Sequence, residues 1–365
     1  MMDHPIIAKE EDQDEACYRQ FYEEAISLCR QKRFHEALEK CRYTSLDDEE
    51  EYSIDVIHPE KIEFKQNSYE DGENSIISFP EFLLLVLDVC TGGEQPASHY
   101  QPDKLIEKFD ALKTYFTAGE FYEKMLYYRL LLDYYTIRRD IKDGQGNYSL
   151  ILKGPKDDSD KLKQYQSMLY VSTEAFYNWL KPYLRKLEQD ELHSCAEMLA
   201  FLKKGDNERH SILPARKDLS YKASGNIRYW FWRLDYYLWE QRSTFFNEEE
   251  QKIVEHYVFR RNRSIEHLHP QDESHNEEWE EEAVHSFGNL AMISQSFNSQ
   301  QSNDHIQIKF ARIHEQISNK SLQSIKMFLM CKLADFNYQN WTMKLAKEHE
   351  NEMIEFLERS FYISD

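Results

Sequence analysis

The chain has 365 residues, enough for two ordinary domains and a substantial core. Its formal net charge of −21 favours solubility and repels nucleic acid at long range, so any handling of DNA must rest on a local basic patch or on a partner. A hydrophobic content of 41 %, with 14 % aromatic, is that of a folded protein, and only ten Gly and nine Pro argue against long flexible linkers.

The N-terminal MMDHPIIAKEEDQDEA lacks a basic region followed by an apolar run, so no secretion signal is expected. Residues 1–45 read as a helix pair, with Phe21, Ala25, Leu28 and Cys29 on one stripe and Phe34, Ala37 and Leu38 on the other. Residues 46–77 are acidic and irregular, with YSIDVI and KIEF as short strand candidates. Ser78 is placed to cap a helix running through FPEFLLLVLDVC and stopping at Gly92-Gly93. Its apolar run, Phe82 to Cys90, is about half the length of a membrane span, so it reads as a buried helix.

Leu105, Phe109, Leu112 and Phe116 follow at helical spacing, and a third helix, dense in Tyr and Leu, is expected over roughly 118–140. GNYSLILKG (146–154) is short and β-like. Further helices carry Tyr165 and Leu169, then Phe176, Trp179, Leu180, Tyr183, Leu184 and Leu187, then Leu192, Leu199 and Leu202. Aromatic stripes at this spacing read as core rather than as stacking platforms for bases. The polar stretch 205–226 is the best candidate boundary, and IRYWFWRLDYYLWEQR beyond it reads as one strongly amphipathic aromatic helix. No internal repeat or low-complexity tract stands out. The six cysteines (Cys17, Cys29, Cys41, Cys90, Cys195, Cys331) form no CxxC pair, which fits reduced thiols in a cytoplasmic protein without structural zinc.

The chemistry-bearing residues lie downstream. SIEHLHPQ (264–271) sets Glu266 beside His267 on a short strand, where adjacent side chains point to opposite faces unless the backbone bends. An acidic stretch with seven Asp and Glu among residues 272–282 follows and reads as an exposed loop. HSFGNLAMISQSFN (285–298) then offers a tight turn at Gly288 and a strand in LAMIS, and a polar, helical segment is expected to begin at Asn298. The order is strand, loop, strand, helix.

That order resembles the ββα-metal, or HNH (His-Me finger), nuclease fold. Glu266, His267, Pro270, Asn289 and Asn298 fill the places of its motif, the last two nine residues apart. EHLHPQ, Trp279 in the acidic loop, FGNLAMIS, Asn298, Ser302-Asn303 and Lys309 together resemble the C-terminal HNH domain of GmrSD-type modification-dependent restriction endonucleases. RYWFWRLDYYL is similar to the helix preceding the site in that family, and SLQSIKMFLM and NWTMKLAKEHENEMIEFL to its closing helices. The likeness is detailed over roughly 225–358 and weaker over 78–210. The family's NTP-hydrolysing ParB-like half has no visible counterpart here, and in this family it is sometimes a separate polypeptide.

The resemblance implies roles. Neutral His267 would be the general base, with Asn289 orienting its ring through the backbone or the imidazole. Glu266 and Asn298 would be oxygen ligands of a divalent metal, Mg²⁺ or Mn²⁺ rather than zinc. HNH enzymes more often have Asp or His at the first metal position and His at the last, so this is an HNN variant. Lys309 is a candidate phosphate contact, and Arg260, Arg261 and Arg263 are candidates for the local basic patch. His269, His275 and His285 read as structural or solvent residues.

The expected fold is mainly α with a small α+β part: a helical body over 1–215 and a ββα-metal (HNH) nuclease domain over 216–365. The expected function is that of a metal-dependent DNA endonuclease or nickase subunit of a restriction-type anti-phage defence system, cytoplasmic and with no membrane association. It would act on modified or phage DNA alongside a separate NTPase-like ParB-fold subunit. The alternative is a catalytically silent interaction or regulatory subunit that keeps the HNH fold.

Overall fold

A computed structural model of the chain describes residues 5–43, 72–141, 148–156, 159–172, 174–225, 227–260, 263–271, 279–294 and 306–362. The YSIDVI and KIEF segments, His275 and Asn298 lie outside the described residues. The chain divides into two compact units: unit 1 holds Met1–Ser159 and Ala175–Met198, and unit 2 holds Asp160–Glu174 and Leu199–Asp365.

Unit 1 is mainly helical, with α1 (Pro5–Arg30), α2 (Phe34–Tyr43), α3 (Phe79–Cys90), α4 (Leu105–Leu112), α5 (Ala118–Tyr135) and α7 (Phe176–Glu188). Ala25, Ile26 and Cys29 of α1 and Ala37 of α2 are buried, but Leu38 is exposed, so the apolar face of α2 is narrower than its sequence indicates. A capping box starts α3, in which Ser78 and Glu81 satisfy each other's backbone N–H groups. Gly92 and Gly93 follow its end at φ 103° and 80°, a region glycine enters without steric cost. Leu84 to Leu87 are fully buried. Asp88 of the same helix is buried too, and it holds the Tyr100 hydroxyl and, at 2.9 Å, the Lys181 ammonium.

The third expected helix stops earlier than its sequence suggests. α5 ends at Tyr135, Thr136 takes an extended conformation, and 138–141 become β2. β2 is the middle strand of an antiparallel sheet between β1 (Gly72–Ser75) and β3 (Tyr148–Ile151), so the backbone groups a longer helix would have satisfied are paired across the sheet.

Unit 2 contains α6 (Ser159–Val171), the later turns of α8 (Cys195–Arg209), α9 (Arg228–Glu240), α10 (Arg242–Phe245), α11 (Glu248–Glu255), α12 (Glu281–Val284), α13 (Ile306–Ser318), α14 (Ile325–Leu333) and α15 (Met343–Arg359), with β4 (Arg263–His267) and β5 (Leu290–Ser294) as an antiparallel pair. α9 is not amphipathic as its sequence suggests. Every residue from Tyr229 to Trp239 is buried, and the helix packs on β5, α14 and α15. Its two charged residues in this run, Arg233 and Asp235, are 0 % and 1 % exposed because partners remote in sequence receive them. Asp206 Oδ2 takes hydrogen bonds from Tyr165 (2.8 Å), Tyr229 (2.7 Å) and Arg233 (3.1 Å), while Arg233 also donates to Ser360 and Asn207. Asp235 accepts from the Tyr257 hydroxyl and the Lys326 backbone N–H. Among the described residues, no helix is long and apolar enough to cross a membrane.

Candidate active site

The site is built on the β4–β5 pair. The register sets Ile265 opposite Met292, Glu266 opposite Ala291 and His267 opposite Leu290. Leu290 to Ile293 are fully buried, so β5 is an apolar strand inside unit 2 and anchors the more polar β4 beside it. The turn before β5 lies against α15. A Cβ on Gly288 would overlap the Ala346 carbonyl, so glycine is needed there for close approach of two backbones rather than for an unusual φ.

Asn289 closes that turn and is completely buried. Its Oδ1 accepts from the backbone N–H of His269 (2.8 Å) and from Trp341 Nε1 (3.2 Å), and its Nδ2 donates to the carbonyls of His269 (3.0 Å) and Val284 (2.9 Å). The Leu268 N–H donates to the Asn289 carbonyl at 2.9 Å. Asn289 thus grips the backbone just beyond His267, and the hydrogen bonds of its amide go to that backbone, to Val284 and to Trp341 rather than to the imidazole. Lys326 braces the same turn from below, donating to the carbonyls of Phe287 (2.8 Å) and Leu290 (2.7 Å). Burial pushes this fully enclosed ammonium down to about 7, against the pull of Asp235 and Glu350.

Glu266 and His267 meet different neighbours. The Glu266 carboxylate is paired with Lys309 of α13, and the Lys309 ammonium also donates to the His267 carbonyl at 2.5 Å. Both partners of this pair are buried, at 6 % and 4 % exposure. The His267 ring instead lies against Tyr221, with centroids 4.5 Å apart, and against His285. Its Nε2 is 3.0 Å from His285 Nδ1, and the amide nitrogen of Gln271 lies across the ring, 2.9 Å from Nδ1 and 3.3 Å from Nε2. Burial, with smaller contributions from His285 and Lys309, pushes His267 down to about 3, so its imidazole is neutral at neutral pH. Burial also lowers His285, followed by the nearby Lys222 and opposed by Glu281.

Among the expected site residues, Glu266, His267, Asn289 and Lys309 are therefore brought together. Arg261 lies outside the described residues, Arg263 is the first residue of β4, and Arg260 precedes the strand at intermediate exposure. Among the described residues, no group of three or more His, Cys, Asp or Glu side chains is arranged to hold a metal ion. Glu266 is the one expected metal ligand among them, and an ammonium already engages it. His269 is buried and stacks on Trp279, with ring centroids 4.1 Å apart and planes 5° apart.

Three residues of the site escape sequence reasoning. Gln271 ends the SIEHLHPQ stretch, but nothing in that stretch shows its amide folding back onto His267. His285 sits four residues before Asn289 and gains meaning only from the turn that carries it to His267. Tyr221 comes from the polar stretch read as a boundary. Its backbone N–H and the Ser220 hydroxyl each donate to the His285 carbonyl at 3.0 Å.

Residues 208–356 match the family described as GmrSD restriction endonucleases, C-terminal domain. The matched stretch lies wholly in unit 2 and contains the β4–β5 pair, α13 and all the residues just described. No curated protein and no solved structure matches the chain.

Proposed function

From the match of residues 208–356 to the GmrSD restriction endonuclease C-terminal domain, we propose that this chain is the nuclease subunit of a restriction-type anti-phage defence system, hydrolysing DNA phosphodiesters with His267 as general base. One observation carries the proposal: within the matched region a neutral, buried imidazole lies between a second histidine, His285, and the exposed amide of Gln271. The Gln271 edge is the side from which water and phosphate can approach.

In the proposed step, the His267 imidazole takes a proton from a water whose oxygen attacks phosphorus. A bond from that oxygen to phosphorus forms as the bond to the leaving sugar oxygen breaks. A base held near 3 is weak at neutral pH, but an incoming phosphodiester anion favours the imidazolium and moves the value back upward. Lys309 tethers the backbone of the base through the His267 carbonyl, and Asn289 holds the next turn of chain. The strand pair followed by α13 is read as an HNH-type ββα unit.

A divalent cation, Mg²⁺ or Mn²⁺, belongs to the proposal through the hard oxygen donors of Glu266 and Asn298; when bound it supplies positive charge to the scissile phosphate and leaving oxygen. The described residues do not form that site by themselves, and Glu266 would have to share or exchange Lys309. The proposed partners are modified or phage DNA and a separate NTPase-like ParB-fold subunit.

Supercoiled plasmid, unmodified or modified, is the substrate for the test, with Mg²⁺, Mn²⁺ or EDTA and with the chain alone or mixed with the ParB-like subunit. Metal-dependent nicking or linearisation supports the proposal. The rival reading, a catalytically silent interaction or regulatory subunit, draws on the net charge of −21 and on the ammonium that holds Glu266. A tight complex of the two subunits that cuts none of these DNAs in either metal would favour it.

A further inference from the structure

We propose that Tyr221 and Lys222 form a strand-contact site beside the candidate base, the Tyr221 ring stacking on a nucleotide next to the scissile phosphate and the Lys222 ammonium taking a neighbouring phosphate. The inference deepens the nuclease reading and rests on it.

A chain of net charge −21 needs a local cation to approach DNA. Lys309, the phosphate contact expected from the sequence, does not offer one at the surface, because its ammonium is buried on Glu266 and the His267 carbonyl. The segment 216–222, RKDLSYK, holds three cations against one acid. Arg216 is committed to the buried Glu350 at 2.8 Å. Lys222 is paired with Glu281, but both of these side chains are more than half exposed, at 57 % and 77 %. Exposed pairs add little to stability, so Lys222 can exchange the carboxylate for a phosphate oxygen at small cost.

Tyr221, the residue before it, touches the base. One face of its ring lies on His285, with centroids 5.7 Å apart and planes 14° apart, and it meets the His267 ring at a centroid distance of 4.5 Å. Even so, 43 % of the residue stays open to solvent. Its backbone is fixed: Leu219 is fully buried, and the Tyr221 N–H and the Ser220 hydroxyl both donate to the His285 carbonyl at 3.0 Å. A lone exposed tyrosine on a surface means little. This one is a held aromatic ring against the imidazole that is to meet the scissile phosphate, and the exposed amide of Gln271 lies on the same imidazole. Every base offers a π-face, so the contact would seat a strand without reading its sequence, and the lysine would add attraction that is equally indifferent to sequence.

The test reads binding by fluorescence anisotropy in EDTA, with the full chain and a fluorescein-labelled DNA as duplex and as single strand. Tyr221→Leu keeps an apolar side chain without the π-face and should weaken binding by ~5–150-fold. The loss should be larger for the single strand, whose bases need no unstacking. Tyr221→Phe should bind like the wild type. Lys222→Gln should reduce the steepness of log K against log salt by ~1, a change that Tyr221→Leu should not make. Thermal unfolding checks that each variant folds. A further measurement needs no variant: DNA carrying 5-iodouracil at its thymine positions, irradiated in the complex, should cross-link to Tyr221.

Equal affinity of Tyr221→Leu and wild type, or a Tyr221→Phe as weak as Tyr221→Leu, would overturn the stacking site. So would cross-links found only elsewhere in the chain, or a wild type that binds neither DNA. The nuclease reading fails separately, in the cleavage assay. Weakened binding by Tyr221→Leu beside a His267→Ala that cuts at the wild-type rate would keep the strand contact and overturn the base assignment. Unchanged binding by Tyr221→Leu beside an inactive His267→Ala would overturn the strand contact alone.

Discussion

The Asp206–Arg233 cluster and the His267–His285 cluster are both buried in unit 2, yet they differ in what surrounds them. Asp206, Arg233, Tyr165, Tyr229 and Ser360 are all at most 2 % exposed, and the polar contacts named for Arg233 stay within that enclosed set and the neighbouring Asn207. His267 is almost as deeply buried, but its ring also meets an exposed amide, that of Gln271. The first arrangement is enclosed by protein side chains, with half-buried Arg209 and His210 at 3.6 and 3.9 Å from Asp206 Oδ1, and acts by fixing α9 against its neighbours. The second keeps one replaceable partner, which suits chemistry. Burial of a charged or titratable group is thus uninformative by itself; the exposure of its last partner separates framework from site.

That contrast can be broken by mutation. The largest stability loss should come from Arg233→Ala, which leaves Asp206 buried without its main counter-charge: ~3–5 kcal/mol by urea unfolding. A loss below about 1 kcal/mol would mean that the cluster does not fix α9 as described. Asn289→Ala comes next. It removes the partner of the His269 N–H, the His269 and Val284 carbonyls and Trp341 Nε1, at a cost of roughly 1–3 kcal/mol. It should also loosen the turn beyond His267, so cleavage should fall further than the stability change accounts for. Equal loss in both would reduce Asn289 to framework.

The smallest effect runs the other way. His349 is 1 % exposed, and among the described residues neither ring nitrogen has a hydrogen-bond partner. Burial, followed by the nearby Lys326, holds its pKa well below the ordinary histidine value. A base whose folded pKa lies below its unfolded pKa binds fewer protons when folded. Its contribution is fully present above about pH 6.5 and is lost as the pH falls below that. His349→Met, of similar volume and without the polar atoms, should stabilise the fold by ~1 kcal/mol at pH 7. It should also flatten the acid side of the stability profile, checked by thermal unfolding between pH 7 and 4. A variant no more stable than wild type and equally acid-sensitive would show that the His349 nitrogens find partners in solution.

How much of this was legible in the sequence depended on the range of the forces involved. α3 could be read almost to the residue, because its capping box and Gly92-Gly93 stop are local. α9 reads as amphipathic because Arg233 and Asp235 look like a solvent face, and only the fold brings Asp206, Ser360 and Lys326 to them. β2 looks like a continuation of the helix before it because its pairing with β1 and β3 is not written in RRDI. At the site, Glu266, His267 and Asn289 were found by spacing within two strands and a turn. His285, Gln271 and Tyr221 were not, since their meeting with His267 depends on how the loops fold back.

The measurement that tests the central claim most directly is plasmid cleavage by the wild type and His267→Ala side by side, in Mg²⁺ or Mn²⁺ with the proposed ParB-like partner present. Thermal unfolding would confirm that both chains are folded. The account predicts cutting by the wild type and a loss of ~10²–10⁴-fold in a folded His267→Ala. Equal cutting by the two chains would contradict it, because the imidazole at the centre of the site would then take no part in the reaction.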